Sequence, residues 1–294
     1  MLINEGAMGR NRRIRRLGQA GLWLNPMVAY FFLWAPILVL VLFSFNSSRS
    51  VASFSGFTLK WYSNILNNVM GAESAFSTAI MLNAFRNSLF VGTVATAIST
   101  VLGTMIALAM ARGKFPGKRL IDGLLFLPVV IPEITQAISL AIFFKVAFDW
   151  FALLSGERVF PGFHTIIAAH VTFNISYVAI VARARLADMN PRLEEAANDL
   201  GANPWRAFWR VTFPLILPGV ISGALLAFTL SLDDFVITFF TSGVGTTTLP
   251  VFVYGLLKLT VTPEVNAIST IMMLISTLLI GISLAMQGRA ASRV

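Results

Sequence analysis

The chain has 294 residues, of which 56% are hydrophobic and 12% charged, and its mean hydropathy is +0.78. A soluble domain could not cover its surface with so few polar residues, so the composition predicts an integral membrane protein. There is no cysteine and there are two histidines, which excludes a disulfide framework and leaves no expected metal or cofactor site.

The first predicted span covers the uncharged stretch 22–45 and follows a basic N-terminus, 1–21. At 1.5 Å per residue this helix crosses a hydrocarbon core of about 30 Å, and it is too long for a signal-peptide core. Residues 46–82 have mixed polarity, which predicts an external loop with some helix. Within that loop Trp61 and Tyr62 are candidate anchors at the membrane interface.

Five further apolar stretches predict transmembrane helices over 88–111, 121–144, 163–182, 213–240 and 265–286. The predicted fold is therefore an all-α, multi-pass bundle of six transmembrane helices. Five of these helices form a core over 83–287, and a short tail covers 288–294. Most of the 22 lysines and arginines lie in the N-terminus, the loop 112–119, the segment 183–210 and the tail. The positive-inside bias places these segments and both termini in the cytoplasm, so the net charge of +9 needs no nucleic acid.

The loop 112–119 contains a partial match to a phosphate-binding loop. Only three residues separate Gly113 from Gly117, and Arg119 stands where Ser or Thr would hold magnesium. No predicted strand precedes it. We therefore expect that the chain does not hydrolyse ATP itself.

The segment 190–214 is the only long polar stretch in the second half of the chain. Asn190 is a typical helix N-cap, Pro191 suits the first helical turn, and Gly201 is a typical C-terminal stop. Asn203-Pro204 predicts the start of a second helical run. The first helix has an apolar face of Leu193, Ala196, Ala197 and Leu200, at i, i+3, i+4 and i+7. One face of the second run carries Trp205, Phe208 and Trp209.

The polar face of the first helix centres on Glu195, with Asp199 beside it. A helix lying on lipid usually carries Lys and Arg there, so these acidic residues favour a protein partner over the membrane surface. The pattern Glu195-Ala196-Ala197, three residues, Gly201, nine residues and Val211-Thr212-Phe213-Pro214 resembles the EAA loop of ABC importer permeases. Val211 and Phe213 stand where that family usually has Ile and Leu. The resemblance implies a type I ABC importer permease fold, with a coupling surface for a separate ATPase formed by Glu195, Ala196, Ala197, Asp199 and Gly201.

Three carboxylates lie inside predicted spans: Glu133, Asp233 and Asp234. Each costs ~2.5–3.5 kcal/mol near a bilayer centre, so a specific role is expected. Glu133 is predicted near mid-membrane in the span 121–144. On a helical wheel Asp234 falls with Gly219, Gly223 and Ala227 and Asp233 falls with Ser222 and Thr229, so the two carboxylates point about 100° apart. Capping or hydrogen bonding within the bundle and a path for a cationic cargo both remain open, with Asp233 the preferred cargo contact and Asp234 the preferred packing residue.

Small residues recur every four positions in the fifth span, at Gly219, Gly223 and Ala227. Such a stripe lets another helix approach closely. Packing within the chain is favoured, and contact with a second subunit stays open.

Four further runs resemble the spermidine and putrescine importers within the permease family. They are Phe43-Ser44-Phe45-Asn46-Ser47-Ser48, Ala227-Phe228-Thr229-Leu230-Ser231-Leu232-Asp233-Asp234, Thr248-Leu249-Pro250 and Thr262-Pro263-Glu264-Val265-Asn266-Ala267. The resemblance implies import of a polyamine with a second, related permease, two ATPase subunits and a periplasmic polyamine-binding protein. A permease for an amino acid or another cation is the alternative within this family.

Two other classes would also place acidic residues in spans. An intramembrane aspartyl protease needs two carboxyl groups that share a proton, which adjacent residues on one helix do badly. A proton-coupled secondary transporter commonly shows an internal repeat, which this sequence lacks, and it would leave the segment 190–214 without a role.

Overall fold

The computed structural model describes residues 5–50, 52–67, 78–190, 192–258 and 262–291. These residues are mostly helical and form no strand, although an antiparallel bridge joins Asn46 to Phe57. Six helices among them are long and apolar enough to cross a membrane, which confirms the all-α prediction. Their spans are Leu24–Phe43, Ala79–Arg112, Glu133–Ser155, Phe163–Ala187, Pro204–Asp233 and Pro263–Ile282.

The helices are named in chain order. They are α1 Glu5–Phe43, α2 Lys60–Asn67, α3 Thr78–Arg112, α4 Lys118–Val130, α5 Glu133–Ser155, α6 Phe163–Ala187, α7 Arg192–Asp199, α8 Pro204–Ala207, α9 Phe213–Asp233, α10 Val236–Thr241, α11 Leu249–Leu257 and α12 Pro263–Ala291. A π-helical turn, Phe208–Thr212, joins α8 to α9.

The chain forms two compact units, and the first comprises residues 1–67 and 261–270. In this unit the loop after α1 is organised by Asn46, whose side-chain amide donates to the carbonyls of Ser50 and Ser53, both at 2.9 Å. Trp61 of α2 is 2% exposed, and its Nε1 donates to the Asn46 carbonyl at 2.7 Å. The prediction that Trp61 is an interface anchor is therefore wrong, because its ring is the core of this loop. Tyr62 is tied to the loop as well, with its hydroxyl 2.6 Å from that of Ser44.

The second unit, 68–260 and 271–294, is built on α3, α6 and α9, which pack against one another. Glycines permit the close approach. A Cβ at Gly103 of α3 would lie 2.8 Å from the Val178 Cβ of α6, and one at Gly219 of α9 would lie 2.7 Å from the Arg185 Cβ of α6. The small-residue stripe of α9 therefore packs within the chain, as predicted.

Two predicted spans are interrupted where the sequence suggested continuous helix. The stretch 121–144 breaks between α4 and α5, because the residue before a proline disfavours helix and Ile131, before Pro132, is extended with ψ 133°. The Gln136 amide donates to the carbonyls of Pro128 and Ile131 at 2.8 and 2.9 Å, which pairs two carbonyl groups near the break. The predicted span 213–240 ends at Asp233, after which the chain turns into α10.

Candidate functional site

The first helix of the segment 190–214 forms as its end signals predict. The Asn190 side chain accepts a hydrogen bond from the backbone N–H of Arg192 at 3.0 Å, which is the expected cap. Pro191, the predicted first-turn residue, lies outside the described residues. The helix is α7, which ends at Asp199.

The end of α7 is a Schellman motif with Gly201 in the left-handed conformation, φ 84°. The N–H of Ala202 bonds to the Ala197 carbonyl at 3.0 Å, and the N–H of Gly201 to the Asn198 carbonyl at 2.9 Å. Nothing lies within 4 Å of a Cβ placed on Gly201. Glycine is therefore required here by the backbone conformation and not by a lack of space.

The apolar face of α7 is not covered by the described part of this chain. No residue of α7 is buried, and just beyond its end Leu200 is 89% exposed. Of the predicted coupling residues, Glu195, Ala196, Asp199 and Gly201 are exposed and Ala197 is partly buried. All five are thus on one exposed helix and its cap.

The residue that attaches α7 to the rest of the second unit is Glu194, which the sequence analysis passed over. Its carboxylate pairs with Arg112 at the end of α3 and accepts a hydrogen bond from the hydroxyl of Thr212 in the π-helical turn. Glu194 therefore connects α7 to the end of α3 and to the π-helical turn that leads into α9. The sequence shows a cation at the end of α3 and an acidic pair at the start of α7, but it gives no sign that these two distant places are paired.

The second helical run is confirmed, and it continues into the fifth span. The Asn203 side chain accepts from the N–H of Arg206 at 2.8 Å, which caps α8. From α8 the chain runs through the π-helical turn into α9, so one apolar span covers Pro204–Asp233. Trp205 and Trp209 are both exposed, with ring centroids 5.7 Å apart.

At the other end of α9, Asp234 is the centre of a buried hydrogen-bond network. Its Oδ2 accepts from the Thr238 N–H and hydroxyl, both at 2.7 Å, and its Oδ1 accepts from the N–H of Ile237 at 3.3 Å. Nε2 of His170 in α6 lies 3.2 Å from Oδ2. Asp234 therefore accepts hydrogen bonds from the first turn of α10 and ties that helix to α6.

The helical-wheel position predicted for Asp234 is wrong, because α9 ends one residue earlier and Asp234 is extended, with ψ 124°. Asp233, the last residue of α9, is exposed and accepts a hydrogen bond from the hydroxyl of Ser276 in α12 at 2.8 Å. The two neighbouring carboxylates thus contact different helices. No cation lies within ion-pair distance of Asp233 among the described residues.

Glu133 is the first residue of α5, so the prediction of one continuous helix over 121–144 that contains it is wrong. Its carboxyl group lies beside that of Asp234. It also borders a cavity of about 300 Å³, where the break between α4 and α5 faces α6, α9 and α10. The polar side chains lining this cavity are Glu133, Gln136 and Tyr177. The structure therefore brings Glu133 and Asp234 together, whereas Asp233 contacts α12 instead.

His170 is a second residue that sequence reasoning missed. It is fully buried and its Nε2 lies 2.9 Å from the Thr238 hydroxyl, but its position in the sequence carried no sign of a partner in α10. The described residues contain no group of three or more His, Cys, Asp and Glu side chains that could hold a metal ion.

A family model described as "Binding-protein-dependent transport system inner membrane component" matches residues 99–294. This range includes the segment 190–214 and the carboxylates Glu133, Asp233 and Asp234. The chain belongs to this family. It is a multi-pass inner membrane protein and a permease subunit of an ABC importer, a transport component and not an enzyme. ATP hydrolysis belongs to a separate subunit, and permeases of this family work with a second permease, ATPases and a periplasmic binding protein.

Similar proteins extend the match over most of the permease. It is 39% identical over 248 residues to the putrescine transport system permease protein PotI of Escherichia coli, covering 84% of this chain and 83% of that protein. It is 38% identical over 256 residues to the spermidine/putrescine transport system permease protein PotC of Haemophilus influenzae, covering 87% and 92%. A solved bacterial ABC transporter involved in alginate import has the same fold, with a TM-score of 0.67 at 16% identity over 96% of this chain and 98% of that chain.

Proposed function

We propose that this permease moves a polyamine, putrescine or spermidine, from the periplasm to the cytoplasm by alternating access. The observation that carries the proposal is the identity of 39% and 38% to putrescine and spermidine/putrescine permeases over more than four fifths of the chain. The charge distribution supports it. Asp233 has a neutral hydrogen-bond partner, so its charge is available to a cationic cargo.

The proposed path uses Asp233, Asp234 and Glu133 in different ways. Asp233 is exposed at the end of α9, and Glu133 borders a cavity, so both can meet an ammonium group. Asp234 already accepts three hydrogen bonds and lies beside His170. We therefore assign it to holding α9, α10 and α6 in place along the path.

We further propose that α7 and its glycine cap form the coupling surface for the ATPase. The exposed carboxylates of Glu195 and Asp199 and the uncovered apolar side chain of Leu200 support this role. The contacts of Glu194 with Arg112 and Thr212 would transmit movement of α7 to α3 and α9.

The proposed orientation places both termini and the segment 190–214 in the cytoplasm, because most lysines and arginines belong to these parts of the chain. The loop 46–82 and the end of α9 then face the periplasm. In this layout 1–21 is the basic N-terminus, 22–45 the first span, 83–287 the permease core and 288–294 the tail. Its partners would be a second permease in a heterodimer, two ATPase subunits, a periplasmic polyamine-binding protein and membrane lipid.

Reconstitution of the complete importer in proteoliposomes tests the cargo. We expect ATP-dependent uptake of labelled putrescine or spermidine that depends on the binding protein. Amino acids and an anionic solute serve as comparison cargoes. Strong uptake of the anionic solute with none of either polyamine would contradict the assignment.

A further inference from the structure

Three aromatic side chains cluster just beyond the C-terminal end of α9. The ring centroid of Phe235 lies 4.4 Å from that of Tyr254 in α11, and the centroid of Phe239 in α10 lies 6.1 Å from it. The two phenylalanine rings are 5.5 Å apart. Tyr254 is 38% exposed and Phe239 is 45% exposed. The Tyr254 ring is therefore held by two neighbours and stays accessible.

An ammonium group already lies on this cluster. Nζ of Lys258 is 4.8 Å from the centroid of the Tyr254 ring, inside the range of about 6 Å for a cation–π contact. Lys258 takes part in none of the ion pairs among the described residues, so the ring is its charge-stabilising partner there. Lys60 lies 5.8 Å from the ring of Trp61, but that ring is 2% exposed. Tyr254 thus combines a bound ammonium with an accessible ring.

We infer that Tyr254, held by Phe235 and Phe239, is a binding site for a primary alkylammonium group, occupied by Lys258 until an ammonium of the cargo displaces it. The lysine side chain is four methylene groups ending in an ammonium, which is the structure of 1,4-diaminobutane without its second ammonium group. An exposed contact of this kind is weak, so exchange is easy. Asp233, two positions before Phe235, offers a carboxylate in the same part of the chain. The inference rests on the proposed polyamine cargo.

Displacement can be measured without transport. In the full importer, reductive ¹³C-dimethylation of lysines keeps their charge, and the ring current of Tyr254 should shift the NMR signal of Lys258. The Lys258→Arg variant identifies that signal. We expect 1,4-diaminobutane to move it to the position of exposed lysines, while 1,4-butanediol has no effect. If the diamine leaves the chemical shift of Lys258 unchanged, or if the diol moves it equally, the assignment of this site is overturned.

Uptake kinetics give the second test. Tyr254→Leu should raise the KM for putrescine about 3- to 10-fold, while Tyr254→Phe, which keeps a ring, stays within about twofold. Lys258→Gln should lower KM about 2- to 3-fold because it removes the competing ammonium. The matched control is Lys145→Gln, which removes an exposed lysine paired with Asp149 and should leave KM unchanged.

The two proposals fail separately. A wild-type importer that takes up no polyamine contradicts the cargo, yet displacement of Lys258 by the diamine would still support the ammonium site. If the wild type imports putrescine while Tyr254→Leu matches Tyr254→Phe, or Lys258→Gln matches Lys145→Gln, the site is overturned and the cargo stands.

Discussion

The two ends of α9 obtain their geometry in different ways. At the N-terminal end, the segment 190–214 follows signals that lie beside the residues they control, such as Asn190 before α7 and Gly201 after it. At the C-terminal end, the direction of Asp234 depends on α6, through His170, and on α10, through Thr238. The difference separates a loop whose shape is encoded locally from a buried site that exists only after the bundle has packed.

The substitution with the largest expected effect is Gly201→Val in the locally encoded loop. A left-handed backbone costs an ordinary residue roughly 1–2 kcal/mol, and a β-branched side chain is the least suited to it. We expect uptake to be lost while the permease still inserts into the membrane, because the spans are unchanged. Uptake and membrane protein level are measured together.

The control is Gly201→Asn, since asparagine tolerates this conformation and there is space around the Cβ position. It should retain much of the uptake. Normal uptake by Gly201→Val, with the ATPase still copurifying, would remove the coupling assignment, and loss of the protein from the membrane would assign the glycine to folding.

Asp234→Ala should have the next largest effect, and mainly on stability. It leaves the buried N–H of Thr238 without its acceptor, at a cost of about 1–3 kcal/mol for an unsatisfied group, and the Thr238 hydroxyl keeps only His170 as a partner. We expect a Tm lower by several degrees for the purified complex and reduced assembly. Asp234→Asn keeps one acceptor oxygen, so its Tm should lie between those of Asp234→Ala and the wild type. An unchanged Tm for Asp234→Ala would show that the network does not hold the bundle.

Adjacent glutamates in α7 allow a sharper comparison. Glu194→Gln weakens the contacts with Arg112 and Thr212, and because such partly exposed pairs are worth up to about 1 kcal/mol, uptake should fall about 2- to 5-fold with a small loss of stability. Glu195→Gln, on the exposed side, should reduce ATPase copurification and leave Tm unchanged. Identical results for the two variants would contradict the separate roles of anchor and docking residue.

Asp233→Asn is expected to have the smallest effect. It removes the charge and keeps an acceptor for Ser276, so assembly should be normal while the KM for putrescine rises about 2- to 5-fold. Asp149→Asn is the control, because Asp149 is an exposed carboxylate that already has a cation, Lys145. A wild-type KM for Asp233→Asn would show that this carboxylate does not contact the cargo.

The features that could be predicted from the sequence are those whose signal lies within a few residues of them. Hydrophobic length predicted six membrane helices, and Asn190 and Gly201 predicted α7, since each signal acts within a few residues. The break at Ile131 also had a local signal in Pro132, although continuous hydrophobicity concealed it. The network of Asp234 had none, because His170 and Thr238 are 68 residues apart and meet only in the packed bundle. Glu194 was passed over because its partner Arg112 belongs to another loop.

In the proposed mechanism the N-terminal end of α9 couples ATP hydrolysis to transport, and its C-terminal end contacts the cargo. The most direct test measures ATP hydrolysis and putrescine uptake together, against putrescine concentration, for the complete importer carrying Gly201→Ala or Asp233→Asn. We expect Gly201→Ala to lower the maximum rate of uptake without changing KM, and Asp233→Asn to raise KM without changing the maximum rate. A change of KM in Gly201→Ala, together with an unchanged KM in Asp233→Asn, would contradict this division.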